Sequence, residues 1–172
     1  MLKCPFLVLL KNMKTLYLVR HAKASWEENV SDWERPLTQS GVERAHKVAK
    51  ALKAKKIKPD KMISSYAFRA LNTAVIFALD LRYPATSIEV SQSIYEKRAI
   101  DILDRLRKQD DKADVLMLFG HDPAITELYN MLTRKLLLKL STSSTAGIQF
   151  NIKHWKDLGN SVGKTLFIEP GK

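Results

Sequence analysis

The sequence predicts an α/β domain, a three-layer α/β/α sandwich around a mostly parallel central sheet. Three observations carry that expectation. Strand-like and helix-like segments alternate along most of the chain, the pattern of repeated βαβ units. The segments Leu16-Tyr17-Leu18-Val19 and Val115-Leu116-Met117-Leu118-Phe119 are apolar at every position, which suits strands covered on both faces. A chain of 172 residues, 45% hydrophobic and 27% charged, fills one core and leaves a solvated surface. That composition excludes disorder and collagen-like repeats. The single cysteine, Cys4, has no internal partner, so a disulfide scaffold is excluded too.

The elements follow in order. After the first strand and a polar loop, Thr38 is placed to cap a helix with Val42, Ala45, Val48, Ala49 and Leu52 at helical spacing. Pro59-Asp60 breaks that helix, and Met62-Ile63-Ser64 is a second strand. A helix from about residue 67 to 81 turns Leu71, Ala74, Val75, Ala78 and Leu79 inward. Ser87-Ile88-Glu89-Val90 is a third, weaker strand. Ala99, Ile102, Leu103 and Leu106 mark a third helix. The Val115 strand is followed by Asp122-Pro123, read as a helix N-cap with proline at the first helical position. Strands near 147–152 and 164–168 flank a polar turn and form an antiparallel pair.

Lys and Arg number 29 against 18 Asp and Glu, a formal net charge of +11. Such an excess suits phosphate-bearing ligands, nucleic acid or acidic protein surfaces, or is simply a solvated basic surface. The nucleic-acid reading finds no helix-turn-helix spacing, zinc pattern or interleaved aromatic–basic strand. No apolar run approaches the ~20 residues of a membrane span. Residues 1–12 resemble a weak leader without a cleavage site and are expected to be a poorly ordered or non-native extension before Met13. The expected compartment is the cytoplasm and the expected state a monomer.

In parallel sheets, ligands bind beyond the carboxyl ends of the strands. The polar residues just past each predicted strand are Arg20-His21, Ser64-Ser65 with Arg69 a turn later, Tyr95-Glu96, and Gly120-His121-Asp122. Arginines, histidines and carboxylates therefore gather at one edge. This set suits phosphoryl transfer to histidine. A neutral imidazole is a competent nucleophile, and guanidinium groups clamp the equatorial oxygens. It needs no cofactor and no metal, and no His, Cys or carboxylate pair has zinc-ligand spacing.

Four blocks also carry a family resemblance: Arg20-His21-Ala22; Arg35-Pro36-Leu37-Thr38-Gln39-Ser40-Gly41; Ser64 to Ala74; and Gly120-His121-Asp122-Pro123. From Met13 onward the chain resembles the histidine phosphatase, or phosphoglycerate mutase-like, superfamily. Within it, the chain is similar to the small SixA-type phosphohistidine phosphatases. The resemblance implies that His21 becomes phosphorylated, that Arg20, Arg69 and His121 form the phosphate pocket, and that Arg35 contributes to substrate binding. The implied substrate is phosphohistidine on a protein, with a small phosphate ester as the alternative. Glu96 stands where one branch keeps its general acid, and Asp122 where another does. Phosphohistidine, with its good leaving group, leaves open that there is none.

Departures from the pattern are Ala22 for the usual glycine, Glu27 for the mutases' asparagine, and Lys23 for their glutamate. Together with the chain's size they point away from a mutase. Of the remaining candidates, His46 and His154 read as surface groups. Trp26 and Trp33 either pack the loop after the nucleophile or border the site. Leu136-Leu137-Leu138 reads as buried helix or strand, and Thr142 to Thr145 as a turn near the phosphate.

Overall fold

The computed structural model describes residues 13–26, 29–95 and 97–172. The 1–12 extension, Glu27 and the proposed acid Glu96 lie outside the described residues. Six strands form one sheet: β1 (Met13–Arg20), β2 (Lys61–Ser65), β3 (Glu89–Ser91), β4 (Val115–Gly120), β5 (Thr145–Asn151) and β6 (Lys164–Glu169), in the order β3-β2-β4-β1-β5-β6. The first four are mutually parallel, and β5 and β6 are antiparallel to their neighbours. Four helices cover it: α1 (Gln39–Ala54), α2 (Phe68–Leu81), α3 (Ala99–Arg107) and α4 (Ala124–Thr133).

The unbroken apolar runs of β1 and β4 feed two cores. Leu16, Leu18, Leu116 and Leu118 face α3 and α4, and Tyr17, Val19, Met117 and Phe119 face α1 and α2. Three layers follow directly from that alternation. Among the described residues, no helix is long and apolar enough to cross a membrane.

Several elements differ from the sequence reading. Helix α1 ends at Ala54, well before Pro59, because Lys56 takes a left-handed conformation with φ 58°. Strand β3 begins two residues late, after a 3-10 turn at Ala85–Ser87. Helix α4 starts at Ala124 with Pro123 flanking it, and the Asp122 carboxylate binds the Thr126 hydroxyl instead of capping the backbone. Leu136-Leu137-Leu138 is neither helix nor strand. It is an irregular loop that bends at Leu138, with Leu137 packed on the core and Leu136 and Leu138 turned outward, 87% and 90% exposed. Asn130 gives that result, binding both the N–H and the carbonyl of Leu137. His46 and His154 lie at the surface, each on a carboxylate: Asp80 at 2.7 Å and Asp111 at 2.8 Å.

Candidate active site

The register of the parallel pair sets the centre of the site. Arg20 is opposite Gly120, so His21 and His121 leave the sheet side by side, with ring centroids 5.1 Å apart. Backbone bonds hold the exit: His21 N–H donates to Gly120 O at 3.0 Å, and Ser143 N–H to the carbonyls of Arg20 and His21 at 3.1 and 3.2 Å. The turn read at 142–145 is therefore the brace behind the nucleophile's strand. Ala22 is fully buried, has no positive φ, and donates its N–H to Thr73 Oγ1 at 2.9 Å, so the methyl group in place of glycine fits. Thr73 donates in turn to Arg69 O at 2.6 Å, tying the nucleophile's loop to the helix that carries Arg69.

The ring of His21 is held in one tautomer. Nδ1 lies 2.7 Å from the Ala22 carbonyl, which can only accept, so Nδ1 holds the proton and Nε2 keeps its lone pair. Burial pushes the His21 pKa down to about 4. The Ala22 bond opposes that shift, and the cations Arg69, Arg20 and Arg35 add to it. Burial, then His21 and the same arginines Arg69 and Arg20, bring His121 to about 3. Both rings are neutral at pH 7.

His121 Nε2 sits 2.9 Å from Ser65 Oγ, which also accepts from Ala67 N–H at 3.4 Å. Where the serine hydroxyl donates to Nε2, the ring proton of His121 is on Nδ1; in the other tautomer Nε2–H donates to the serine and Nδ1 is an acceptor. Nδ1 is buried with no hydrogen-bond partner, as are Arg20 Nε and Arg69 Nε. Two buried guanidinium Nε donors without acceptors, beside an imidazole with a free lone pair, suit an anion site.

The guanidinium groups are held from behind. Arg20 Nη1 donates to Leu140 O at 2.6 Å and stands 4.0 Å from Asp122. The buried Arg69 and Arg35 share one carboxylate, Asp32. Arg69 Nη2 donates to its Oδ2 at 2.8 Å and Nη1 to its backbone carbonyl, and Arg35 Nη1 donates to Oδ1 at 3.0 Å. Tyr95 OH adds a 2.6 Å bond to Oδ2. Burial opposes ionisation of Asp32, but these bonds from Tyr95, Arg69 and Arg35 outweigh it and hold the carboxyl well below the usual range. Arg35 Nε donates to Ser25 O at 2.8 Å, and its guanidinium stacks 3.3 Å over the Trp26 ring.

Two cavities open on either side of a shared wall formed by Asp32, Arg69, His121 and Asp122. One, about 390 Å³, holds His21, Arg20 and Arg35; the other, about 440 Å³, runs past Tyr95, Lys97 and Arg98. The structure thus brings together every described candidate: His21, Arg20, Arg69, His121, Arg35 and Asp122. Asp122, favoured in the sequence as a helix cap, faces the pocket instead. Trp26 borders the site, whereas Trp33 packs on Tyr66 and Phe68. Asp32 escaped the sequence reading; its only signal was a carboxylate three residues before Arg35, where a buried arginine needs a counter-charge. Among the described residues, no group of three or more His, Cys, Asp or Glu is arranged to hold a metal ion.

Residues 16–96 match the family model of the histidine phosphatase superfamily, branch 1. An uncharacterized protein of Mycobacterium tuberculosis is 24% identical over 150 residues, covering 81% of this chain and 91% of its own. A chloroplastic protein of Arabidopsis thaliana is 27% identical over 153 residues, covering 84% and 70%. The fold superposes on SixA from Agrobacterium tumefaciens with a TM-score of 0.78 at 21% identity, covering 91% of this chain and 97% of that one. It superposes on a mycobacterial glucosyl-3-phosphoglycerate phosphatase at 0.63 and 15% identity, covering 90% and 97%. The motif blocks meet in one pocket, on a fold shared with SixA, and residues 16–96 of the chain are similar to the histidine phosphatase superfamily, branch 1.

Proposed function

We propose that the protein is a metal-independent phosphatase that works through phospho-His21 and takes phosphohistidine on a protein as its substrate. The observation that carries this reading is the free Nε2 of His21 facing a pocket whose donors Arg20 Nε and Arg69 Nε have no partner of their own.

In the first step His21 Nε2 attacks phosphorus, and the bond from phosphorus to the substrate's imidazole nitrogen breaks. The protonated substrate ring leaves as neutral imidazole, so the step needs no strong acid. Arg20, Arg69 and His121 hold the equatorial oxygens, and Arg35 adds positive charge at the rim. Water then attacks the phosphorus of phospho-His21, the bond from phosphorus to Nε2 breaks, a water proton passes to solvent, phosphate leaves and neutral His21 is regenerated. SixA among the structural neighbours and the basic, open mouth support a folded substrate. The phosphatase of a sugar-phosphate compound among the same neighbours is why a small ester stays in the test.

The experiment is phosphate release from a histidine-phosphorylated protein in EDTA, with wild type and His21→Ala compared. Release by wild type that vanishes in the variant is expected. Turnover of sugar phosphates with none of the phosphoprotein would overturn the substrate; loss of wild-type release in EDTA would overturn metal independence.

A further inference from the structure

The segment between α4 and β5 runs Arg134-Lys135-Leu136-Leu137-Leu138-Lys139 and is exposed at every position except Leu137. Two leucines stand almost wholly in water, at 87% and 90% exposure, with Met131 of the last turn of α4 a further 47% exposed. A loop that merely connects two elements has no need of such side chains, and isolated exposed apolar groups this open are a feature of contact surfaces when they cluster.

The strip is not loose. Asn130 clasps its middle from both sides, Nδ2 donating to Leu137 O at 2.9 Å and Oδ1 accepting from Leu137 N–H at 2.8 Å. Leu140 N–H then donates to Thr126 Oγ1 at 3.0 Å. Fixing Leu137 inward fixes its two neighbours outward. The strip also ends at the catalytic pocket. Leu140 O receives Arg20, Thr126 holds Asp122, and Thr142 lines the cavity of His21. Leu138 is two residues from that carbonyl.

Charge selects the partner. Arg134, Lys135 and Lys139 are exposed, and among the described residues none has a carboxylate within ion-pair distance. Elsewhere the surface cations of α3 are neutralised, Arg98 by Asp101, Arg105 by Glu89 and Arg107 by Asp104. The geometry points to a docking strip at 134–139 for an acidic, partly apolar face of the phosphohistidine protein itself. Its apolar part seats on Leu136 and Leu138, and its carboxylates meet Arg134, Lys135 and Lys139. This inference rests on the phosphohistidine-protein reading above.

The test uses two double variants, Leu136→Ser/Leu138→Ser and Lys135→Glu/Lys139→Glu, all at exposed positions. Each is assayed on a histidine-phosphorylated phosphotransfer domain with an acidic, partly apolar face, and on p-nitrophenyl phosphate. The expected result is a tenfold or greater fall in kcat/KM for the phosphoprotein, carried by KM, with p-nitrophenyl phosphate turnover within twofold of wild type. Phosphoprotein kinetics unchanged in both variants, or equal losses on both substrates, would overturn the strip and leave the phosphatase reading standing. Wild type that hydrolyses p-nitrophenyl phosphate but no phosphoprotein would overturn both. Vesicles containing phosphatidylserine give the remaining arm. Wild-type binding that is lost in the leucine variant, with phosphoprotein kinetics untouched, would assign the strip to a lipid surface instead.

Discussion

Asp32 does with one carboxylate what the buried Arg35 and Arg69 cannot do alone. A buried guanidinium needs an anion, and an anion bridging two of them also fixes their planes. Replacing it with asparagine keeps the size and one acceptor oxygen but removes the charge. Asp32→Asn should lower kcat/KM by on the order of 10², the loss expected when binding groups shift by about an ångström. Inorganic phosphate should bind more weakly by a similar factor. Steady-state kinetics beside phosphate titration reads both, and wild-type values for either would contradict the bridging role. The contrast with His21, Arg20 and His121 explains what could be read in advance. Those three follow strand ends, where an apolar run stops and a ligand edge begins. Asp32 lies in an aperiodic loop, and its partners Arg69 and Tyr95 are 37 and 63 residues away.

Between elements, the tightest joint is where α1 meets the loop after the nucleophile. Thr38 N–H donates to Lys23 O at 2.9 Å, and a Cβ on Gly41 would stand 2.2 Å from that same oxygen. Backbone cannot yield as a side chain end can. Gly41→Ala should therefore destabilise the fold by ~1–3 kcal/mol and displace His21, seen as a lower urea midpoint together with a lower kcat. An unchanged kcat would mean that the loop absorbs the shift away from the site. Helices α1 to α3 were legible because amphipathic spacing and a capping threonine are local signals, but the inward face read for α2 was too wide: Leu79 is 64% exposed. The segment at 134–139 was not, since three consecutive leucines carry no periodicity, and Asn130, which decides which one turns inward, belongs to the preceding helix. The start of α4 failed for a related reason: Asp122 has a capping residue's chemistry, but Thr126 and Arg20 claim its carboxylate.

For the molecule as a whole, both pocket imidazoles are folded in neutral form. Their folded pKa values, about 4 and about 3, lie below the ordinary value of 6.5. Between those limits the unfolded chain binds more protons than the folded one, so stability is full above about pH 6.5 and falls as pH drops toward 4. Urea midpoints at pH 7.5 and 5 should show that fall in wild type and a smaller one in His21→Ala/His121→Ala; identical slopes would contradict it. By the same sign, the acid limb of kcat/KM should lie near pH 4 to 5, well below 6.5.

The two rings also owe their separation to something older than any side chain. They follow paired positions on adjacent parallel strands, and strands lie ~4.8 Å apart because peptide hydrogen bonds put them there. The 5.1 Å gap between His21 and His121 is thus close to a constant of the backbone. Surrounding residues can drift until only 21% match a structural relative while the strands still superpose. A chain that keeps this sheet and these two histidines keeps the two rings side by side as well, leaving the rims, the loops and the partners they meet free to change.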